Sequence, residues 1–283
     1  MVRTHGGPLL RLTDAASEAT AVPGALAAFV GRAVATRLSY RTQLSLGLAS
    51  TVLSAVVLVF VGRVVAFAGG GFETRYGMTY TEFAVLGVVV HGAASAGLGA
   101  FRAAVRREQL QGTIEQLLLS RGPASLLVAL SGAGDVLSAC AGGAALLAVC
   151  SRLGGFPIEV SWPFAGAVCL YAATMCGLGL ASAGVVLVTK EGEPVSWLLA
   201  TLSALAGGVY FPPDLLPGCL RTISQALPTT HVLAVVRVAD SVGGARASLL
   251  FLSAAAAVAC AAGAATLRWG LARARDAGTL GEY

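Results

Sequence analysis

The stretch Phe211-Pro-Pro-Asp-Leu-Leu-Pro-Gly-Cys-Leu220 interrupts one of the most apolar segments of the chain, and its reading decides how many helices the fold contains. Prolines stand at 212, 213 and 217, and a fourth follows at Pro228. Proline lacks a backbone donor and clashes with the preceding turn, so no single helix passes through this stretch. Yet Leu215, Leu216, Cys219, Leu220, Ile223 and Leu227 recur at helical spacing. The pattern predicts two short helices. Asp214 caps the first, with Pro217 in its opening turn, and Pro228 ends it. Thr229 or Thr230 starts the second, which runs through His231, Val232, Leu233, Val235 and Val236 toward Gly243-Gly244. Neither is long enough to cross a bilayer.

Outward from this break, the composition gives the class. Of 283 residues 56% are hydrophobic and only 12% charged, about half the charge of an ordinary soluble domain. The mean hydropathy is +0.79. The chain therefore reads as an all-α integral membrane protein. About 20 apolar residues cross the hydrocarbon, which predicts six transmembrane helices, near 42–67, 82–101, 124–150, 162–188, 194–210 and 246–269. The six cysteines form no C-x-x-C pair and lie mostly in apolar runs, where cysteine acts as a small hydrophobe, so no metal or disulfide framework is expected.

Lys and Arg favour the cytoplasmic side of short loops. With the N-terminus inside, cytoplasmic segments hold thirteen of the nineteen basic residues. Both termini are therefore expected in the cytoplasm, and the broken stretch 211–245 on the outer side. There the short helix pair is expected to re-enter the outer half of the bilayer, buried against protein, because irregular backbone does not face lipid. The net charge of +5 then reports topology and anionic headgroups, with no basic soluble face for nucleic acid. Eighteen arginines against a single lysine fit a GC-rich bacterial genome, which places the chain in a bacterial cell membrane.

Two further segments carry organisation. In 23–41, Leu26, Phe29, Val30, Ala33 and Leu38 recur at helical spacing opposite Arg32, Thr36, Ser39 and Arg41. This predicts an amphipathic helix in the cytoplasmic interface, following a flexible tail over 1–22. The membrane domain then spans 23–270, and 271–283 forms a C-terminal tail. The second segment is the cytoplasmic loop 102–123. Gly112 interrupts its helical pattern and Thr113 can cap a second short helix, with Leu110, Ile114, Leu117 and Leu118 on one face and Glu115 and Gln116 on another. Such a helix suits docking against a cytoplasmic partner.

The run from Glu108 through Gly112-Thr113-Ile114-Glu115 to Leu117-Leu118 resembles the loop between the second and third spans of type 2 ABC-transporter permeases. Tyr210, Pro212, Leu216, Pro217, Gly218, Leu227, Pro228, Thr229, His231 and Arg237 resemble that family's re-entrant pair before the last span, with Pro213 inside the matched stretch. Arg121-Gly122 before Pro123 departs from the family, where a proline often comes sooner. The resemblance implies the channel half of an ATP-driven exporter. It makes Glu108, Gly112, Thr113, Ile114, Glu115, Leu117 and Leu118 the coupling helix toward a nucleotide-binding ATPase subunit, and it implies a second permease chain, identical or related. It also implies that the segment from Tyr210 to His231 forms an outer gate. Substrates of such permeases include drugs and antibiotics, lipids and polysaccharides. An aromatic content of 7% leans toward a hydrophobic small molecule or peptide over a carbohydrate.

A P-loop needs Gly-x-x-x-x-Gly-Lys-Ser/Thr, whereas Lys190 stands between Thr189 and Glu191. ATP and Mg are thus expected in the partner subunit, and no cofactor, metal or catalytic residue in this chain. Histidines at 5, 91 and 231 make no H-E-x-x-H, and no Gly-x-Ser-x-Gly elbow occurs, which disfavours a membrane enzyme. Asp135 and His91 are the intramembrane polar residues that mark a candidate substrate path. Asp135 could line that path or pair with an arginine such as Arg102, and His91 is expected to hydrogen-bond a neighbouring helix. A proton-coupled carrier using Asp135 is the alternative, although such carriers usually show two similar halves and the broken pair occurs once. Glu73, Arg75 and Glu82 read as anchors at the outer interface.

Overall fold

The structure, a computed structural model, describes residue 31 and residues 41–68, 71–110, 124–156, 161–189, 193–237 and 242–276. The predicted interface helix over 23–41 and the coupling positions from Gly112 to Leu118 lie outside the described residues. Glu108 stands on the backbone of a helix's last turn.

Among the described residues the fold is helical, without strands. The helices are α1 (Arg41–Phe67), α2 (Phe72–Tyr76), α3 (Tyr80–Leu110), α4 (Ala124–Gly154), α5 (Trp162–Thr189), α6 (Glu193–Ala206), α7 (Gly218–Ala226), α8 (Pro228–Arg237) and α9 (Val242–Asp276). A 3-10 turn, Pro213–Leu215, lies between α6 and α7. Helices α1, α3, α4, α5 and α9 each carry an apolar stretch of 23 to 29 residues, enough to cross a bilayer. The chain is a multi-pass membrane protein.

The expected span over 194–210 is shorter in the structure. Helix α6 has 14 residues, roughly 21 Å at 1.5 Å per residue. It stops where Gly207-Gly208 begins, and Gly208 takes the left-handed conformation at φ 82°. That conformation is open to glycine and ends a helix. A side chain at Gly207 would also strike Thr229, its Cβ lying 2.7 Å from the threonine Cβ.

Packing fixes the directions of the long helices. Gly143 of α4 faces Val89 of α3, and Gly132 faces Phe101, so α3 and α4 run antiparallel. Ala55 clusters with Val85 while Gly62 meets Thr81, which sets α1 antiparallel to α3 as well. Helix α5 runs parallel to α3, since Gly97 faces Cys176 and Val105 clusters with Leu187. Helix α9 runs parallel to α5 in turn. A Cβ on Gly177 would lie 2.5 Å from the Ala259 carbonyl carbon, and one on Gly184 would lie 2.5 Å from the Thr266 carbonyl oxygen. Two helices approach this closely only where side chains are absent, and in a bilayer van der Waals contact is a main force that joins them.

Two further clusters of the core lie at opposite ends of this axis. At one end Leu86, Val90, Tyr171, Met175, Val232, Leu233 and Leu252 join α3, α5, α8 and α9. At the other, Phe101, Val105, Leu187, Leu267 and Leu271 join α3, α5 and α9. Helix α1 buries Ala55, Val59 and Gly62 and packs Leu58 against the same cluster, while Leu46, Leu53, Phe60 and Val64 stay exposed. Exposed aliphatic side chains of this kind are at no disadvantage in lipid. Trp162, opening α5, and Trp269, near the end of the parallel α9, are exposed at opposite ends of the bundle, where amphipathic rings favour the two bilayer interfaces.

Candidate functional site

The candidate site begins where α6 unwinds. Each residue after Ala206 exposes a carbonyl that a continuing helix would have paired, and inside a membrane domain such groups must find other donors. Arg237, the last residue of α8, supplies two of them: Nη1 donates to the Gly208 carbonyl at 2.7 Å and Nη2 to the Val209 carbonyl at 3.2 Å. Nη2 also donates to the Phe83 carbonyl at 2.9 Å, and the guanidinium lies 3.3 Å from the centroid of the Phe83 ring. Tyr80 donates its hydroxyl to the next carbonyl, that of Tyr210, at 3.1 Å. One arginine and one tyrosine therefore tie the unwound segment to the start of α3.

The proline-rich stretch comes next. Pro212 and Leu216 are extended, at ψ 138° and 144°, as expected before a proline. This corrects the sequence expectation of a helix capped by Asp214. Pro217 excludes helical backbone at Leu216, so α7 starts only at Gly218 and has no side-chain cap. Asp214 instead pairs with Arg221 at 3.3 Å, both half-exposed. The apolar stripe is also not buried as expected: Leu215, Leu220 and Ile223 are exposed, and Ser224 is the residue of α7 that is buried.

Helix α8 is the buried partner, with Thr229, Val232, Leu233, Val235 and Val236 inside. Pro228 opens it, a position where the missing donor costs nothing. The two threonines have separate roles. Thr229 and Tyr171 of α5 share a hydrogen bond of 2.8 Å, fully buried. Thr230 donates to the Ser224 carbonyl at 2.6 Å, closing the turn between α7 and α8. His231 hydrogen-bonds the Gln225 carbonyl at 2.9 Å and stacks on Phe251 of α9, ring centres 3.9 Å apart. Tyr210, Pro212, Pro213, Leu216, Pro217, Gly218, Pro228, Thr229 and His231 are thus gathered at one end of the bundle. There they sit with Phe72, Tyr76, Tyr80 and Phe83, an aromatic cluster at the α2–α3 corner.

A cleft of about 280 Å³ opens between these elements, lined by Tyr76, Phe83, Pro212, Asp214, Leu233 and Arg237 among others. Two buried polar atoms in its lining residues, Tyr76 Oη and Arg237 Nε, have no hydrogen-bond partner among the described residues.

The intramembrane candidates lie elsewhere. Arg107 of α3 bonds Asp135 of α4 at 2.7 Å, which gives the aspartate an arginine partner of the kind expected. His91 pairs its Nε2 with Ser95 Oγ at 3.1 Å, a bond within its own helix where a bond to a neighbour was expected. Neither residue lines the second cavity, of about 200 Å³, which Ser50, Thr51, Ser54, Gly92 and Gly143 border between α1, α3 and α4.

Tyr80, Phe83 and Tyr171 escaped the sequence reading, because nothing in their neighbours marks a partner more than fifty residues away. Arg237 stood in the resemblance without a role. The Gly207-Gly208 pair was a legible stop signal that the apolar count overrode.

Comparison with curated individual proteins gives no match. A family model described as ABC-2 type transporter matches residues 32–240, well over half of the chain and the whole of the broken helix pair. The chain belongs to the ABC-2 type transporter family, as a membrane component of transport that is not itself catalytic and whose membership implies an ATP-binding partner subunit.

Proposed function

We propose that this chain is the permease subunit of an ATP-driven exporter, built from six crossings with both termini in the cytoplasm. The observation that carries the topology is the parallel course of α5 and α9. Two parallel neighbours need one return between them, and among the described elements there α6, extended by the unwound residues after it, is the longest that can make it. The Arg237 and Tyr80 bonds support this, since they let non-helical backbone complete a crossing that α6 alone is too short to make.

The segment from Glu108 to Leu118 is the contact to the ATPase, and Glu115 is the residue whose charge the test reverses. Movement passes up α3, whose last turn carries Glu108 and whose first residues hold the Arg237 clasp. Packed helices switch as rigid bodies, so α3 links the two ends. The turn from Tyr210 through α7 and α8 forms the outer gate, and a second permease chain completes the path. The exposed apolar faces of α1 and α7 support such a neighbour. The cargo is a hydrophobic small molecule, drug, peptide or lipid-like compound. A proton-carrier role for Asp135 is disfavoured by its ion pair with Arg107, which suits a tie between α3 and α4 near the coupling segment. Co-purification with a candidate ATP-binding subunit tests the assembly. A stable complex that Glu115→Lys disrupts, while the variant still inserts, is the expected result.

A further inference from the structure

We propose that the cavity bordered by α1, α3 and α4 is a binding site within the bilayer for a neutral, ring-sized molecule that both donates and accepts a hydrogen bond. It lies in the central part of three spans, with Ser50 and Ser54 from α1, Gly92 from α3 and Gly142 from α4. All four residues are exposed, so the cavity is reached from the lipid side of the bundle. Its volume is about 200 Å³. A closed apolar cavity of roughly 150 Å³ takes up benzene, so a ring with small substituents fits here.

Two glycines make the space. A Cβ built on Gly92 or on Gly142 would meet no neighbouring atom within 4 Å. At Gly177 and Gly184, by contrast, it would strike the backbone of α9. Helix packing therefore accounts for Gly177 and Gly184 and leaves Gly92 and Gly142 without a reason inside the bundle, although each glycine costs a helix about 1 kcal/mol relative to alanine. What Gly92 and Gly142 share is the wall of one cavity.

The hydroxyls in that wall select the occupant. Ser50 and Thr51 donate to the Gly47 carbonyl at 2.8 and 2.9 Å, which leaves both oxygens able to accept. Ser54 makes no hydrogen bond among the described residues, so its hydroxyl is free to donate. An unpaired hydroxyl in hydrocarbon carries a cost that a ligand bond recovers. No charged side chain lines the cavity among the described residues, so an ion would enter uncompensated. An acyl chain would fill the space and satisfy none of the three hydroxyls. A phenolic hydroxyl on an apolar ring meets both requirements, since its proton reaches a serine or threonine oxygen and its oxygen accepts from Ser54. The site follows from the cavity and the membrane fold, and its failure would leave the ATP-driven reading standing.

Thymol added to the full chain in a neutral maltoside detergent tests this, with binding read from a saturable rise in unfolding temperature. Ser54→Ala should weaken binding about fivefold, the effect of one hydrogen bond. Gly142→Leu puts its side chain into the cavity, and should abolish binding while the ligand-free unfolding temperature stays at or above that of the parent. Thymol methyl ether, which cannot donate, and para-cymene, which lacks the oxygen, should both bind more weakly than thymol. An equal shift from para-cymene, or a thymol shift that persists in Gly142→Leu, overturns the proposal. So does a loss of oligomeric mass in Gly142→Leu, which would put a helix of a second copy in the cavity.

Discussion

Arg237 donates a 2.7 Å hydrogen bond to the carbonyl of Gly208, joining the last residue of α8 to the unwound backbone just beyond α6. The same guanidinium reaches Val209 and adds a second bond to the Phe83 carbonyl, so the two non-helical carbonyls depend on one side chain. Arg237→Ala leaves Gly208 and Val209 unpaired, at about 1–3 kcal/mol for each buried group. We expect a loss of at least about 2 kcal/mol, read as a fall in unfolding temperature of the purified chain. Arg237→Lys has one ammonium in place of the fork and should recover only part of it.

The buried hydroxyl pair of Tyr171 and Thr229 holds α8 against α5. Tyr171→Phe should cost about 1–2 kcal/mol by stranding the threonine hydroxyl. Adding Thr229→Val to Tyr171→Phe should cost less than the two single changes summed, since the second removes the stranded group. A double-mutant cycle on unfolding temperature checks this. Additive losses would mean that the bond carries no coupling.

The contact between α5 and α9 depends on missing side chains. Gly184→Leu has no room beside the Thr266 carbonyl, and should prevent stable insertion or lower the unfolding temperature sharply. Val185→Leu, one position along and exposed, serves as the control and should leave both unchanged.

Cys219 reports orientation. It is exposed on α7, at the end of the bundle assigned to the outer side, whereas Cys140, Cys169 and Cys260 lie within apolar spans. A thiol in hydrocarbon does not form the reactive thiolate. A membrane-impermeant maleimide should therefore label intact cells through Cys219, and Cys219→Ser should lose the label. Labelling that appears only after the membrane is opened would reverse the topology.

The sequence carried the helical class and the five long helices, because each lies in an apolar run that only a helix satisfies inside a bilayer. The proline spacing also placed the broken pair between α6 and α9. The end of α6 was missed because an apolar count sees Val209 and Tyr210 as membrane residues and does not see the positive φ that Gly208 adopts. The start of α7 was missed for a related reason: a helical stripe ignores the restriction that Pro217 places on Leu216. Within the site, the break at Pro228 and the helix that follows it were legible, because both are set by neighbours in sequence. The long-range partners were not. Phe83 and Arg237 are 154 residues apart, and no local pattern encodes their meeting.

The central claim is that this chain moves its cargo only when a partner hydrolyses ATP. The most direct measurement is transport of a hydrophobic reporter into inverted vesicles that carry the chain together with the ATP-binding subunit that co-purifies with it. Accumulation should require ATP. It should vanish with a hydrolysis-dead partner and also with Glu115→Lys in this chain. Accumulation that persists with the dead partner, driven by a proton gradient alone, would contradict the account.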